Sequence, residues 1–147
     1  MAREKREPRN YDEPTKLQAI ESKYNFLGGA DIANYSGFMR LSDDITGLTE
    51  HGEGWIMPAS GDGMNGAHIC NGDYLLFKAT TEAEDGDIVC VIKPSEPRNT
   101  MCRRYVKQNA GFVIRREDGI TPDEDAKDYV IVGKLMTVIR KMFKETA

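Results

Sequence analysis

The sequence predicts a mainly β fold, a compact and mostly antiparallel sheet with a short helical arm before it. Three observations predict it. First, short runs that favour β structure recur from Trp55 onward, separated by turn clusters rich in Gly, Asp, Asn and Pro. Second, Gly-Asp pairs stand at 61–62, 72–73 and 86–87, and the last two each border an apolar run, Tyr74–Phe77 and Ile88–Ile92. Glycine accepts positive φ and aspartate hydrogen-bonds nearby backbone, so each pair marks a turn for a physical reason. Third, the first fifteen residues carry charge and two prolines but almost no apolar content, which cannot offset the entropy of ordering.

The elements follow in order. Residues 1–37 form the expected arm, mobile to about Thr15. Its basic residues Arg3, Lys5, Arg6 and Arg9 alternate with Glu4, Glu7, Asp12 and Glu13, the pattern of a solvated tail. Pro14 to Tyr24 places Leu17, Ile20 and Tyr24 at helical spacing and predicts a short helix ended near Asn25. Ala30 to Met39 is a second, weaker helical candidate. Two short helices interrupted by glycines do not make a complete DNA-reading headpiece.

Residues 38–147 form the expected β domain. Phe38–Leu41 and Trp55–Ala59 are strand candidates around a polar loop, Ser42–Gly54. Tyr74–Ala79, Asp87–Lys93, Thr100–Lys107, Gly111–Arg115 and Tyr129–Arg140 follow as strands. The loop Glu117–Asp128 has six carboxylates but lacks the order of a calcium loop, so it reads as solvated.

A chain of 147 residues suits one core, and a net charge of −4 argues against a general nucleic-acid binder. No apolar run approaches the ~18 residues of a membrane span, and the N-terminus lacks the apolar core of a secretion signal, so a cytoplasmic location is expected. Cys70, Cys90 and Cys102 form no Cys-x-x-Cys pair, and His51 and His68 stand alone. Neither a disulfide framework, a metal site nor a cofactor is expected.

The order Ser60-Gly61-Asp62-Gly63-Met64, then Ile69-Cys70-Asn71-Gly72-Asp73, then Gly86-Asp87-Ile88-Val89 resembles the LexA/UmuD family of Ser-Lys self-cleaving peptidases. The end of the chain, from Tyr129 to Met142, is similar to that family's closing strand. The resemblance covers about Phe38 to Met142 and implies the highly twisted sheet of the LexA C-terminal type. It also implies that the residue between Gly-Asp and Met is the nucleophilic serine, and here that residue is Gly63. The family's lysine, from a segment like Thr-Val-Lys-Arg-Leu, matches Arg103 or Arg104.

The chemistry behind those two positions is demanding. A hydroxyl must attack a carbonyl while a neutral amine takes its proton. Burial can bring a lysine from about 10.4 to neutrality at pH 7, at a cost of about 4.6 kcal/mol. Neutralising an arginine costs at least about 7 kcal/mol. Ser60 reads as structural, and strand alternation from Arg103 points Cys102 away from the old site. Neither an Ala-Gly nor a Cys-Gly cleavage dyad occurs in the N-terminal third.

The expected function is therefore a non-catalytic domain for protein–protein interaction in DNA-damage or phage-type regulation. Its old-cleft framework is Ser60, Gly61, Asp62, Met64, Gly72 and Asp73, around the degenerate positions Gly63 and Arg103. By resemblance its partners are a second copy of itself and a polymerase, a recombinase filament or a repressor. Val130, Val132, Leu135, Val138 and Arg140 mark the candidate dimer strand. Two other readings stay open: a self-cleaving peptidase with displaced catalytic groups, and a DNA-binding regulator using the arm with Arg103, Arg104, Lys107, Arg115 and Arg116.

Overall fold

Short apolar runs between tight turns pair off as strands of one antiparallel sheet. The computed structural model describes residues 16–27 and 54–142. Its elements are a helix α1 (Lys16–Tyr24) and strands β1 (Gly54–Pro58), β2 (Tyr74–Ala79), β3 (Ile88–Lys93), β4 (Glu96–Gln108), β5 (Gly111–Arg115), β6 (Glu124–Asp125) and β7 (Val130–Ile139). The sheet order is β1-β2-β7-β3-β4-β5-β6, and every pairing is antiparallel. No helix of the described residues is long and apolar enough to cross a membrane. The second helical candidate and the strand candidate Phe38–Leu41 lie outside the described residues.

Two of the Gly-Asp turns are wired identically. Gly72 and Gly86 take positive φ, 88° and 90°. Asp73 accepts from the Cys70 amide at 2.8 Å and donates its own amide to the Cys70 carbonyl. Asp87 does the same with Glu84. Each aspartate thus closes a four-residue turn and delivers the chain into a buried strand.

Side-chain alternation splits the core between the two faces of the sheet. One face gathers Trp55, Leu75, Phe77, Cys90, Ile92 and Val132, with Met64 and Ile69 from the loop after β1. The other gathers Val89, Val91 and Ile114, with Met101, Tyr105 and Tyr129 packed on them. Trp55 is the centre of the first cluster. Phe26 meets it edge-on at 5.0 Å and Phe77 stacks on it at 5.5 Å. Its ring lies over Gly133 of β7, where an added Cβ would come within 2.3 Å of the indole. Only glycine admits that approach.

Three features add to those expectations. Leu17, Ile20 and Phe26 are buried in the Trp55 cluster, so residues 16–27 belong to the packed core although composition grouped them with the arm. The helix face predicted by spacing is the face that docks. Second, β7 lies between β2 and β3, and the candidate dimer strand has register partners on both sides at Gly133 and Lys134. Its pairs with β3 end at Lys134, and from Leu135 to Ile139 its register pairs are with β2.

Third, the acidic loop is fastened by its own carboxylates. Asp123 takes both the Nε and an Nη of Arg115 at 3.0 and 2.9 Å. Asp118 accepts the amides of Ile120 and Thr121, and Glu124 accepts the Tyr129 hydroxyl. Among the described residues no group of three or more His, Cys, Asp or Glu side chains is placed to hold a metal.

Candidate functional site: a cleft beneath Gly63

Strands β1 and β2 are joined by a loop, residues 59–73, whose ends are clamped. Ala59 donates to the Asp73 carbonyl at 2.7 Å, and Gly72 donates back to the Ala59 carbonyl at 2.9 Å. Within the loop Gly61 has φ +81° and gives its amide to the Asn71 side chain at 2.9 Å. Ser60, Gly61 and Asp62 are exposed, while Met64 is buried and plugs the loop into the core. That anchor, beside the buried Ile69, sets Gly63 at the rim of a cavity.

The segment after β5 lies directly on this loop. An added Cβ at Gly63 would stand 2.7 Å from Nε of Arg116. One at Gly66 would stand 2.7 Å from the Glu117 carbonyl oxygen, to which the Gly66 amide donates at 2.7 Å. Both glycines thus face the chain at 116–117. Arg116 is tethered by Asp118 at 3.1 Å, and Glu117 pairs with Arg104 of β4. The space that a side chain at position 63 would enter is occupied by a guanidinium.

The cavity measures about 390 Å³. Ser60, Gly61, Gly63 and Met64 line one side, Cys90, Thr100, Cys102 and Arg103 another, with Arg116 across from them. The sequence reading therefore brings residues 63 and 103 to one place. It misplaces Cys102, which packs against the cluster holding Met64 and Ile69, directly across the strand pair from Cys90. Arg103 has the parity of Met101 and Tyr105, which pack on the opposite face. On β4 the residue on Met64's side of the sheet is Cys102. Alternation is exact, so assigning the wrong residue by one reverses both.

The electrostatics are those of a cationic, thiol-floored cleft. Burial pushes the Cys102 thiol up to about 12, against the pull of Arg103 and Arg104, and raises Cys90 higher still. Arg103 is half-buried; its Nη1 donates to the Cys102 carbonyl at 2.7 Å. Burial lowers its guanidinium, and the neighbouring charge of Arg116 lowers it further. No lysine lines the cavity among the described residues, and Ser60 and Thr100 supply its hydroxyls.

The framework is held from the far end of the chain. Arg140, just past β7, donates to both carboxylate oxygens of the buried Asp73 and to the His68 carbonyl. Asp73 is held below its usual value by Arg140 first and by the Cys70 amide, against burial. Arg140 thus acts as a clasp on the loop that carries Gly63. Sequence reasoning placed it in a dimer strand and missed this role; a lone arginine sixty-seven residues from its partner gives no local signal. Arg116 was equally invisible, since only the folded chain sets it on Gly63.

Residues 27–136 match the family described as Peptidase S24-like. The LexA repressor of Bifidobacterium longum strain DJO10A is 30% identical over 104 residues, which is 71% of this chain and 41% of that protein. The LexA repressor of Alkaliphilus oremlandii is 29% identical over 93 residues, 63% of this chain and 44% of the relative. That of Thermosipho melanesiensis is 31% identical over 94 residues, 63% and 46% respectively. The chain therefore spans less than half the length of these relatives.

Proposed function

The chain belongs to the Peptidase S24-like family, and from that premise we propose that it is a non-catalytic member whose cleft serves protein–protein interaction in repressor-related, DNA-damage regulation. One observation carries the reading. The position that the family motif gives to a nucleophile is Gly63, and the Nε of Arg116 lies 2.7 Å from where a Cβ there would stand. A lost hydroxyl alone leaves an empty subsite; a guanidinium in its place is a rebuilt one. The opposite wall offers a thiol raised to about 12 and an arginine, and neither accepts a proton near neutrality.

The experiment is incubation of the full chain at pH 10, where a Ser-Lys dyad deprotonates, followed by mass spectrometry over a day. The chain should remain intact. A clean pair of fragments split between residues 28 and 37 would end the proposal and favour displaced catalytic groups.

We further propose a homodimer, as the resemblance suggests, formed by the outer part of β7. Beyond Lys134 that strand pairs with β2 on one side, and Val138 is exposed there. A strand edge with an exposed apolar residue favours pairing with a second copy. Sedimentation of the wild-type chain and of Val138→Lys tests this: the wild type should sediment as a dimer and the variant as a monomer. A location in the cytoplasm follows from the same reading.

A further inference from the structure

We propose that Cys90 and Cys102 are a site of reversible oxidation, at which a hydroperoxide entering the cleft joins the two thiols in a disulfide across β3 and β4.

The juxtaposition is set by the strand ladder. Cys90 and Cys102 are register partners, and both lie on the Met64 side of the sheet. The Tyr105 amide donates to the Asp87 carbonyl at 2.8 Å, which makes 87 and 105 hydrogen-bonded partners at the head of the β3–β4 ladder. Hydrogen-bonded and open pairs alternate along an antiparallel ladder, and the register is regular from Ile88–Arg104 to Val91–Met101. Val89–Arg103 is therefore a hydrogen-bonded pair, and Cys90–Cys102 is an open one. An open pair brings its Cα atoms to about 4.5 Å and its side chains closest, inside the range of about 4.4–6.8 Å that a disulfide spans. The thiols also act on each other: burial first, and then the nearness of Cys102, pushes the Cys90 thiol up.

Both cysteines border the cavity of about 390 Å³. Cys90 is buried and Cys102 is half-buried, so an oxidant meets Cys102 first. Burial opposes the thiolate of Cys102, while Arg103 and Arg104 beside it favour that form. From β3 it faces Cys90, the loop after β1 contributes the apolar Met64 and Ile69, and Arg116 is a further charge on the cavity wall.

The chemistry needs only the peroxide. The sulfur of Cys102, as thiolate, attacks one peroxide oxygen and the O–O bond breaks. The hydroxide released leaves as water with the thiol's proton, and Cys102 becomes a sulfenic acid. The sulfur of Cys90 then attacks that of Cys102, the S–O bond breaks, and the hydroxyl leaves with the Cys90 proton as a second water. Two thiols have lost two electrons to the peroxide. The bond ties β3 to β4 under the loop that carries Gly63, so the cleft has a reduced and an oxidised form.

The test uses the full chain carrying Cys70→Ser, which leaves these two thiols of the three, and excess hydrogen peroxide. Trypsin cuts between the two cysteines at Arg98, so a disulfide appears as peptide 79–98 linked to peptide 99–103. The native chain should give that link within one molecule, and dithiothreitol should release it. Its rate of formation should rise about tenfold from pH 8 to pH 9, as the thiolate share of Cys102 grows. With Cys90→Ser added, the same exposure should carry Cys102 to sulfinic acid and give no link. Sulfinic or sulfonic acid at Cys102 beside a free Cys90 in the two-thiol chain overturns the inference, because the sulfurs then do not meet. So do two intact thiols after a day at pH 9, a link that forms only in urea, and a rate indifferent to pH.

Discussion

Arg140 grips Asp73 with two nitrogens, Nε to Oδ1 at 2.8 Å and Nη2 to Oδ2 at 2.9 Å, and so ties the end of β7 to the turn that enters β2. Asp73 is buried to 2% exposure, whereas the arginine side chain is 43% exposed. The pair therefore protects a carboxylate that could not otherwise be buried in its charged form.

The pH dependence of stability follows from that pair. The folded state holds Asp73 below its ordinary value, so its contribution is present above the unfolded carboxyl value, near 3.9, and is lost as pH falls through the lower folded value. Arg140→Ala should lower the urea midpoint at pH 7, and the deficit should shrink below pH 4. A deficit that is constant from pH 7 to pH 2.5 would assign Arg140 a packing role instead.

Trp55 and Gly133 make the second prediction. The indole occupies the space of a side chain at 133, with a Cβ there meeting it at 2.3 Å. The ring is held between Phe26 and Phe77 and has nowhere to retreat. Gly133→Ala should destabilise by about 1–3 kcal/mol through overpacking. Because Trp55 is the sole tryptophan, its fluorescence reports the shift directly in a denaturant titration. An unchanged emission maximum and midpoint would mean the sheet opens at no cost.

Much of this architecture is legible in the residues, and the rest is not for identifiable reasons. Tyr74–Ala79 and Gly111–Arg115 are short apolar, β-favouring runs between turns, and both appear as strands with those limits. Leu17 and Ile20 reveal the buried helix face because a helix repeats locally. The run Met101-Cys102-Arg103-Arg104-Tyr105 breaks its alternation with two arginines, so nothing in the sequence says which parity faces the cleft. The placement of Arg116 on Gly63 and of Arg140 on Asp73 depends on sheet order, which local pattern does not encode. The short strand β6 hides within an acidic loop, where its carboxylates read as solvated charge.

Thiol chemistry distinguishes the three cysteines. Cys70 is exposed, Cys90 is buried, and burial lifts Cys102 to about 12. Ellman's reagent at pH 8 should titrate one thiol rapidly in the native chain and three after denaturation. Cys70→Ser should remove the rapid phase. Cys102 is half-buried, and two rapid thiols in the native chain would mean that its thiol ionises far more readily than its raised value allows.

The old cleft is a candidate for restored chemistry. Gly63→Ser pushes only on the guanidinium of Arg116, the far end of a flexible side chain, so the fold should accept it. The base must then come from β4, and parity assigns that place to Cys102 on the Met64 side. Burial that raises a thiol there would lower an amine, because desolvation disfavours whichever form is charged. A lysine at 102 is thus in an environment that favours its neutral form. Gly63→Ser with Cys102→Lys should be labelled at position 63 by a fluorophosphonate probe at pH 8.5 at least tenfold faster than Gly63→Ser alone. Gly63→Ser with Arg103→Lys should gain little, since an amine at 103 has the parity of Met101 and Tyr105. The reverse order of reactivity would show that the strand turns its other face to the cleft and that residue 103 holds the base position.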